Sequence, residues 1–118
     1  MRMTLEQGWQ VLQDHYDLGE SYRIYQDQYD PTLISAAYPA GAPFQLDEWR
    51  SVPVPAHLQT VLSDNPHLAP EMRLYNAAPW WYRLAFTLDE AQAAQAGRMH
   101  FGGVDYYCKV YLNGRHLG

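Results

Sequence analysis

The pattern of apolar and polar positions predicts β structure in four places. The clearest is Trp80–Leu88, where Trp80, Tyr82, Leu84, Phe86 and Leu88 alternate with Trp81, Arg83, Ala85 and Thr87, giving one wholly apolar face. Near the start, Gly8–Gln13 alternates more briefly, with Trp9 and Val11 on one side and Gln10 and Leu12 on the other. Arg98–Phe101 reads as a third strand that runs through Gly102-Gly103, a bulge or close backbone approach, into Val104. The fourth run, from Gly103 to Leu112, leads into Asn113-Gly114. Asn and Gly tolerate the positive φ that a type I′ hairpin turn demands at both central positions. Only Arg115, His116, Leu117 and Gly118 follow, so the sheet containing this hairpin is expected to continue beyond them.

Between these runs the pattern dissolves. Residues 14–49 are polar and Tyr-rich, punctuated by Asp30-Pro31, Tyr38-Pro39 and Ala42-Pro43, and are expected to be largely irregular, with one short strand near Tyr22–Tyr25. Trp49–Pro55 contains Pro53 and Pro55, which donate nothing to a ladder, so it reads as an edge segment entering a turn. Ala56–Leu62 has the spacing of a short helix, with Pro55 at its start and Ser63-Asp64-Asn65-Pro66 as its stop. Asp89–Ala96 has helical propensity but is too short to stand without packing, and reads as a connector. Short strands, Pro and Gly punctuation and no βαβ alternation predict an all-β sandwich.

Composition narrows the chemistry. Within 118 residues there are ten Tyr, four Trp and three Phe, alongside eight Pro and eight Gly. Aromatic faces suit the apolar faces of pyranose rings, although most of these rings are expected in the core. The net charge of −5, without a basic cluster, argues against a nucleic-acid partner. No apolar run approaches the roughly 18 residues of a membrane span, and Met1–Glu6 lacks a signal-peptide core, so a cytoplasmic location is expected. Cys108 is the single cysteine and, among strand residues, is expected as a buried inert thiol.

Candidate catalytic groups are sparse. Asp89-Glu90, Asp47-Glu48 and Asp105 supply carboxylates without the context of a glycosidase pair, and Asp105 suits a role in orienting loop backbone. His15, His57, His67, His100 and His116 lack the spacing of a zinc site, so no metal is expected. Neither a phosphate-binding glycine loop nor Gly-x-Ser-x-Gly is present, and no cofactor is expected. For binding, Asn76 lies in a predicted loop where its amide suits a hydroxyl, though a plain turn residue explains it as well. Trp80 and Trp81 fall on opposite faces, so one ring is core and the other is either covered or offered to a ligand.

Taken in order, the motifs resemble the N-terminal sugar-binding domain of family-two glycoside hydrolases, the group of β-galactosidases, β-glucuronidases and β-mannosidases. Leu5–Gln10 is similar to the family's Leu-x-Gly-x-Trp opening, with Gly8 and Trp9 adjacent here rather than separated. Trp49 with Val52-Pro53-Val54-Pro55 is similar to its Val-Pro turn, and Trp81-Tyr82-Arg83 with Phe86 resembles its Trp-Tyr-Arg-x-x-Phe strand. Met99–Asp105 followed by Val110–Gly114 and Leu117-Gly118 carries the most specific block.

The resemblance implies a jelly-roll, galactose-binding-like β-sandwich, incomplete at its C-terminal side, with residues 1–118 forming one partial domain. It implies a non-catalytic part of a retaining hydrolase of β-glycosides, packed on a catalytic barrel of the same parent chain. The family's two catalytic glutamates lie in that barrel, so no catalytic residue is assigned here. The partner would be the carbohydrate substrate, with Asn76, Trp80 and Trp81 as candidate contacts, and the Tyr-rich stretch Tyr16–Tyr38 and the Asn76–Trp80 loop as segments reaching the pocket rim. A stand-alone carbohydrate- or protein-binding module without hydrolase activity is the alternative, and a remnant without function is a third.

Overall fold

The computed structural model describes residues 2–43, 48–62, 69–105 and 107–118. The expected stop at Ser63–Pro66, together with Asp47 and His67, lies outside the described residues. At the centre is a three-stranded antiparallel sheet of order β2-β1-β3, formed by β1 (Gln10–Gln13), β2 (Arg50–Ser51) and β3 (Trp80–Arg83). Its register sets Gln10 opposite Ser51 on one side and opposite Arg83 on the other, and Leu12 opposite Trp81. β1 is the middle strand, and Val11 and Leu12 are both buried even though they point to opposite faces, so both faces are covered there.

The cover on the Leu12 face comes from the stretch expected to be irregular. Leu12, Ile24 and Ile34 form the core cluster, with Leu18, Tyr29, Tyr38, Trp49 and Trp81 packed against it. Tyr22–Tyr25 is a run of turns rather than a strand: Tyr22 N–H donates to Leu18 O (3.0 Å) and Ile24 N–H to Gly19 O (2.9 Å), with Arg23 at φ 56°. Ile34 sits on helix α1 (Pro31–Ala36), whose start is written in Asp30-Pro31-Thr32. Asp30 accepts from Thr32 N–H (2.9 Å) as N-cap, and Pro31 occupies a first-turn position where its missing donor costs nothing.

Further along, α2 (Leu58–Leu62) falls where a helix was expected, and α3 (Ala69–Asn76) leads to β3. β3 has four residues rather than nine because its partner runs out. β1 begins at Gln10, and just before it Gly8 turns the chain away at φ 86°. Leu84–Leu88 and Arg98–Val104 form no ladder among the described residues, and Phe86, Leu88, Met99, Phe101 and Val104 are each about two-fifths exposed, from 38 to 45%. The expected strand through Gly102-Gly103 is therefore absent. In place of a plain connector, α4 (Glu90–Ala93) is held by a capping box in which Asp89 accepts from Gln92 N–H (2.7 Å) and Gln92 accepts from Asp89 N–H (2.9 Å).

The terminal hairpin forms as its sequence predicts. β4 (Tyr111–Leu112) pairs with β5 (Arg115–His116) across Asn113 (φ 49°) and Gly114 (φ 76°), and Val110 and Gly118 extend the pairing. Cys108 is exposed, contrary to expectation, because among the described residues the run that carries it joins no pairing before Val110. No helix among the described residues is long and apolar enough to cross a membrane.

Candidate functional site

Trp80 and Trp81 have different surroundings, set by the register of β3 on β1. Trp81 lies opposite Leu12 and packs on the core, where its Nε1–H donates to Asp14 Oδ2 (3.1 Å). The Asp14 carboxylate, buried to 2% exposure, also accepts from Leu18 N–H (2.9 Å) and Gly19 N–H (2.7 Å). Three donors on one carboxylate tie β3 to the turn that follows β1. Of the two rings, Trp81 is thus the one packed on the core cluster. Trp81 shares the Leu12 side, while Tyr82 on the Trp80 side is 44% exposed.

Trp80 opens a half-buried patch with α2 and α3. Its ring stacks on Tyr75 with centroids 5.5 Å apart and planes 20° from parallel, and its Nε1–H donates to Tyr75 O (2.9 Å). Asn76 is the last residue of α3 rather than a loop residue, is exposed, and accepts through Oδ1 from Gln59 Nε2 of α2 (3.3 Å). Gln13, opposite Trp80 in the sheet, donates to Leu74 O (2.7 Å) and anchors the end of α3. The structure therefore sets Trp80 on Tyr75 and Asn76, the next residue, on Gln59, so two of the three expected contacts lie beside the end of α3. Tyr75 adjoins Asn76 in Leu74-Tyr75-Asn76, which is the signal that could have found it; Gln59 has no local signature. An aromatic stack bordered by amides can hold a pyranose face while the amides donate to and accept from its hydroxyls.

A second aromatic group lies where the hairpin meets the sheet. Tyr25 and Tyr111 stack nearly parallel (4.3 Å, 7°), Trp81 lies within 6.3 Å of Tyr25 and 5.9 Å of Tyr111, and His116 tilts over Tyr111 at 5.2 Å. At its edge Lys109 Nζ donates to Glu20 Oε1 (2.6 Å), and the Tyr111 hydroxyl lies 3.4 Å from the same oxygen. The Lys109 hydrogen bond holds the Glu20 carboxyl below its ordinary value and raises the Lys109 ammonium above its own. Desolvation, and then the Glu20 charge, push the Tyr111 phenol up.

The remaining candidates have other settings. Asp89 caps α4 with Glu90 in its first turn. Asp105 and His57 line an open cleft of about 640 Å³ with Pro55, Ala56, Gly103 and Val104. Among the described residues no three His, Cys, Asp or Glu side chains come together to hold a metal ion.

The motif strands join the sheet through named contacts. Arg83 of β3 donates to Gln10 Oε1 (2.9 Å), reaches across β1, and sets its guanidinium 4.1 Å over the Trp49 ring, whose Nε1–H donates to Tyr29 (2.7 Å). This framework is that of a galactose-binding-like β domain. The family model described as glycosyl hydrolase 2 galactose-binding domain-like matches residues 42–118, a span containing β2, β3, the hairpin and the Trp80 patch without Gln13. The chain belongs to that family. No curated protein and no solved structure matches it.

Proposed function

We propose that the chain is the non-catalytic N-terminal portion of a glycoside hydrolase acting on β-glycosides, packing on a catalytic barrel of the same parent and lending carbohydrate contacts to the rim of its substrate pocket. The observation that carries this reading is the family match over residues 42–118, which include both β3 and the Asn76–Trp80 segment. On this reading Trp80 and Asn76 meet the sugar, supported by Tyr75 and Gln59. Trp81 acts from behind, fixing the strand that carries Trp80 through its bond to Asp14. The carboxylates best placed by the fold have structural work: Asp14 accepts from three N–H groups and Asp89 caps a helix.

The reading also makes the sheet and hairpin parts of a jelly-roll sandwich whose remaining strands cover Phe86, Leu88, Met99, Phe101 and Val104. Its support is the exposure of those five apolar side chains on segments without a ladder. Reading the coding sequence in frame past the Gly118 codon tests it. Further alternating strands followed by a barrel with two glutamates about 5 Å apart are expected. A stop codon with no barrel would overturn it.

A further inference from the structure

We propose that Glu20, Lys109 and His116, set around the Tyr25–Tyr111 stack, form a second carbohydrate contact, separate from the Trp80 patch and suited to a neutral pyranose. The site's geometry stands by itself, whereas the choice of a sugar as ligand rests on the hydrolase reading above.

Packing accounts for the rings but leaves the polar rim unexplained. Glu20 and Lys109 are both exposed, with 48 and 39% of their side-chain surfaces in solvent, and an ion pair so wetted adds little to stability. Both Lys109 and Tyr111 meet Glu20 at Oε1, so Oε2 has no hydrogen-bond partner among the described residues and is available to accept from a hydroxyl. Lys109 Nζ spends one of its three N–H bonds on Glu20 and keeps two for an acceptor. The His116 imidazole is exposed and makes no side-chain hydrogen bond among the described residues, while its ring meets that of Tyr111. Adjacent hydroxyls of a pyranose offer the donor and acceptor that a carboxylate beside an ammonium can meet together. The C–H face of such a ring suits the half-buried aromatic surface of Tyr25 and Tyr111. Two distant parts of the chain supply these groups: the turns after β1, with Glu20 and Tyr25, and the terminal hairpin, with Lys109, Tyr111 and His116.

Titration of the chain with methyl β-galactoside, methyl β-glucoside and methyl β-mannoside, followed by NMR of the aromatic and indole protons, tests the site. At least one sugar is expected to give saturable shifts at His116 and Tyr111. Glu20→Gln and His116→Ala are expected to weaken that binding about tenfold, the loss of one charge-assisted hydrogen bond or ring contact. Both positions are exposed, and an unmoved Trp81 indole N–H signal, hydrogen-bonded to Asp14, verifies the fold of each variant. Shifts confined to Trp80 and Tyr75 would overturn this site while leaving the Trp80 patch standing. Absence of any shift at His116 and Tyr111, or shifts there that neither variant weakens, would also overturn it. Sugar binding at His116 with no barrel encoded downstream would keep the site and remove the hydrolase.

Discussion

Gly19 shows how one residue type is required by a contact no local pattern reveals. A Cβ there would collide with the Trp81 indole nitrogen and lie 2.7 Å from Asp14 Oδ2, so the chain fits only without a side chain. Gly19→Ala is expected to cost about 1–3 kcal/mol, the usual range for overpacking, in urea unfolding monitored by Trp fluorescence. Asp14→Ala strands the N–H groups of Leu18, Gly19 and Trp81, at about 1–3 kcal/mol for each donor left dry. Because both changes break the same hub, the double variant is expected to lose less than the sum of the two. The Glu20–Lys109 pair gives a pH test. Glu20 titrates below its ordinary 4.5 in the folded chain, so its contribution is present above 4.5 and is lost as pH falls through the lowered value. Lys109 titrates above its ordinary 10.5, so its contribution is present below 10.5 and is lost as pH rises through the raised value. In Glu20→Gln the midpoint of unfolding is expected to lose only a small share of its acid dependence below 4.5, that of Asp30 remaining, read from melts in low salt across that range. At this scale the sequence exposed the aromatic residues but not their sides. Alternation placed Trp80 and Trp81 on opposite faces, and only the pairing of Trp81 with Leu12 decided which face was core.

Strands and helices were legible where their signals are local and illegible where they depend on a distant partner. β1, the edge at Arg50–Ser51, α2 and the hairpin follow from alternation, Pro placement and Asn-Gly. Trp80–Leu88 alternates over nine residues, but ladder length is set by the shorter partner, and β1 begins only at Gln10, opposite Arg83. Arg98–Phe101 has the pattern of a strand and no neighbour among the described residues. α1 and α4 were missed for the opposite reason: their few residues look too short, and caps at Asp30 and Asp89 supply what length does not. The Trp80 patch was half legible, since Gln59 reaches it only through the packing of α2 beside α3. The hairpin offers the sharpest test at this scale. Gly114 sits at φ 76°, where a β-branched residue is strained by about 1–3 kcal/mol. Gly114→Val is expected to abolish the cross-strand nuclear Overhauser effects between Tyr111 and His116 while those between β1 and β3 persist. Retained hairpin contacts would show that the ring packing of Tyr111 on Tyr25, rather than the turn, holds it in place.

The whole chain is more open than its length requires. Its radius of gyration is 16.0 Å, with extents of 51 × 34 × 21 Å, against about 13.5 Å for a compact domain of this size. The reason lies in how its apolar residues are distributed. Among the described residues only Val11, Leu12, Ile24, Ile34 and Val52 make up the buried apolar core, all in the part of the chain before α2. After β3, by contrast, Phe86, Leu88, Met99, Phe101, Val104, Tyr107, Leu112 and Leu117 are from 38 to 74% exposed. Hydrophobic burial scales with area removed from water, at about 25 cal/mol per Å², so side chains left this open return little of the conformational entropy that ordering them costs. The two regions should therefore respond differently to denaturant and to hydrogen exchange. Amides of β1 and β3 are expected to exchange slowest and those of residues 98–105 fastest, with unfolding spread over a broad range of urea and a slope below about 1 kcal/mol/M. An apolar dye such as ANS is expected to bind the native chain. Its fluorescence is expected to fall when the 118 residues are expressed together with the strands and barrel that the hydrolase reading supplies. A steep single transition, uniform protection and no dye binding would mean that the apolar side chains after β3 are already buried in solution.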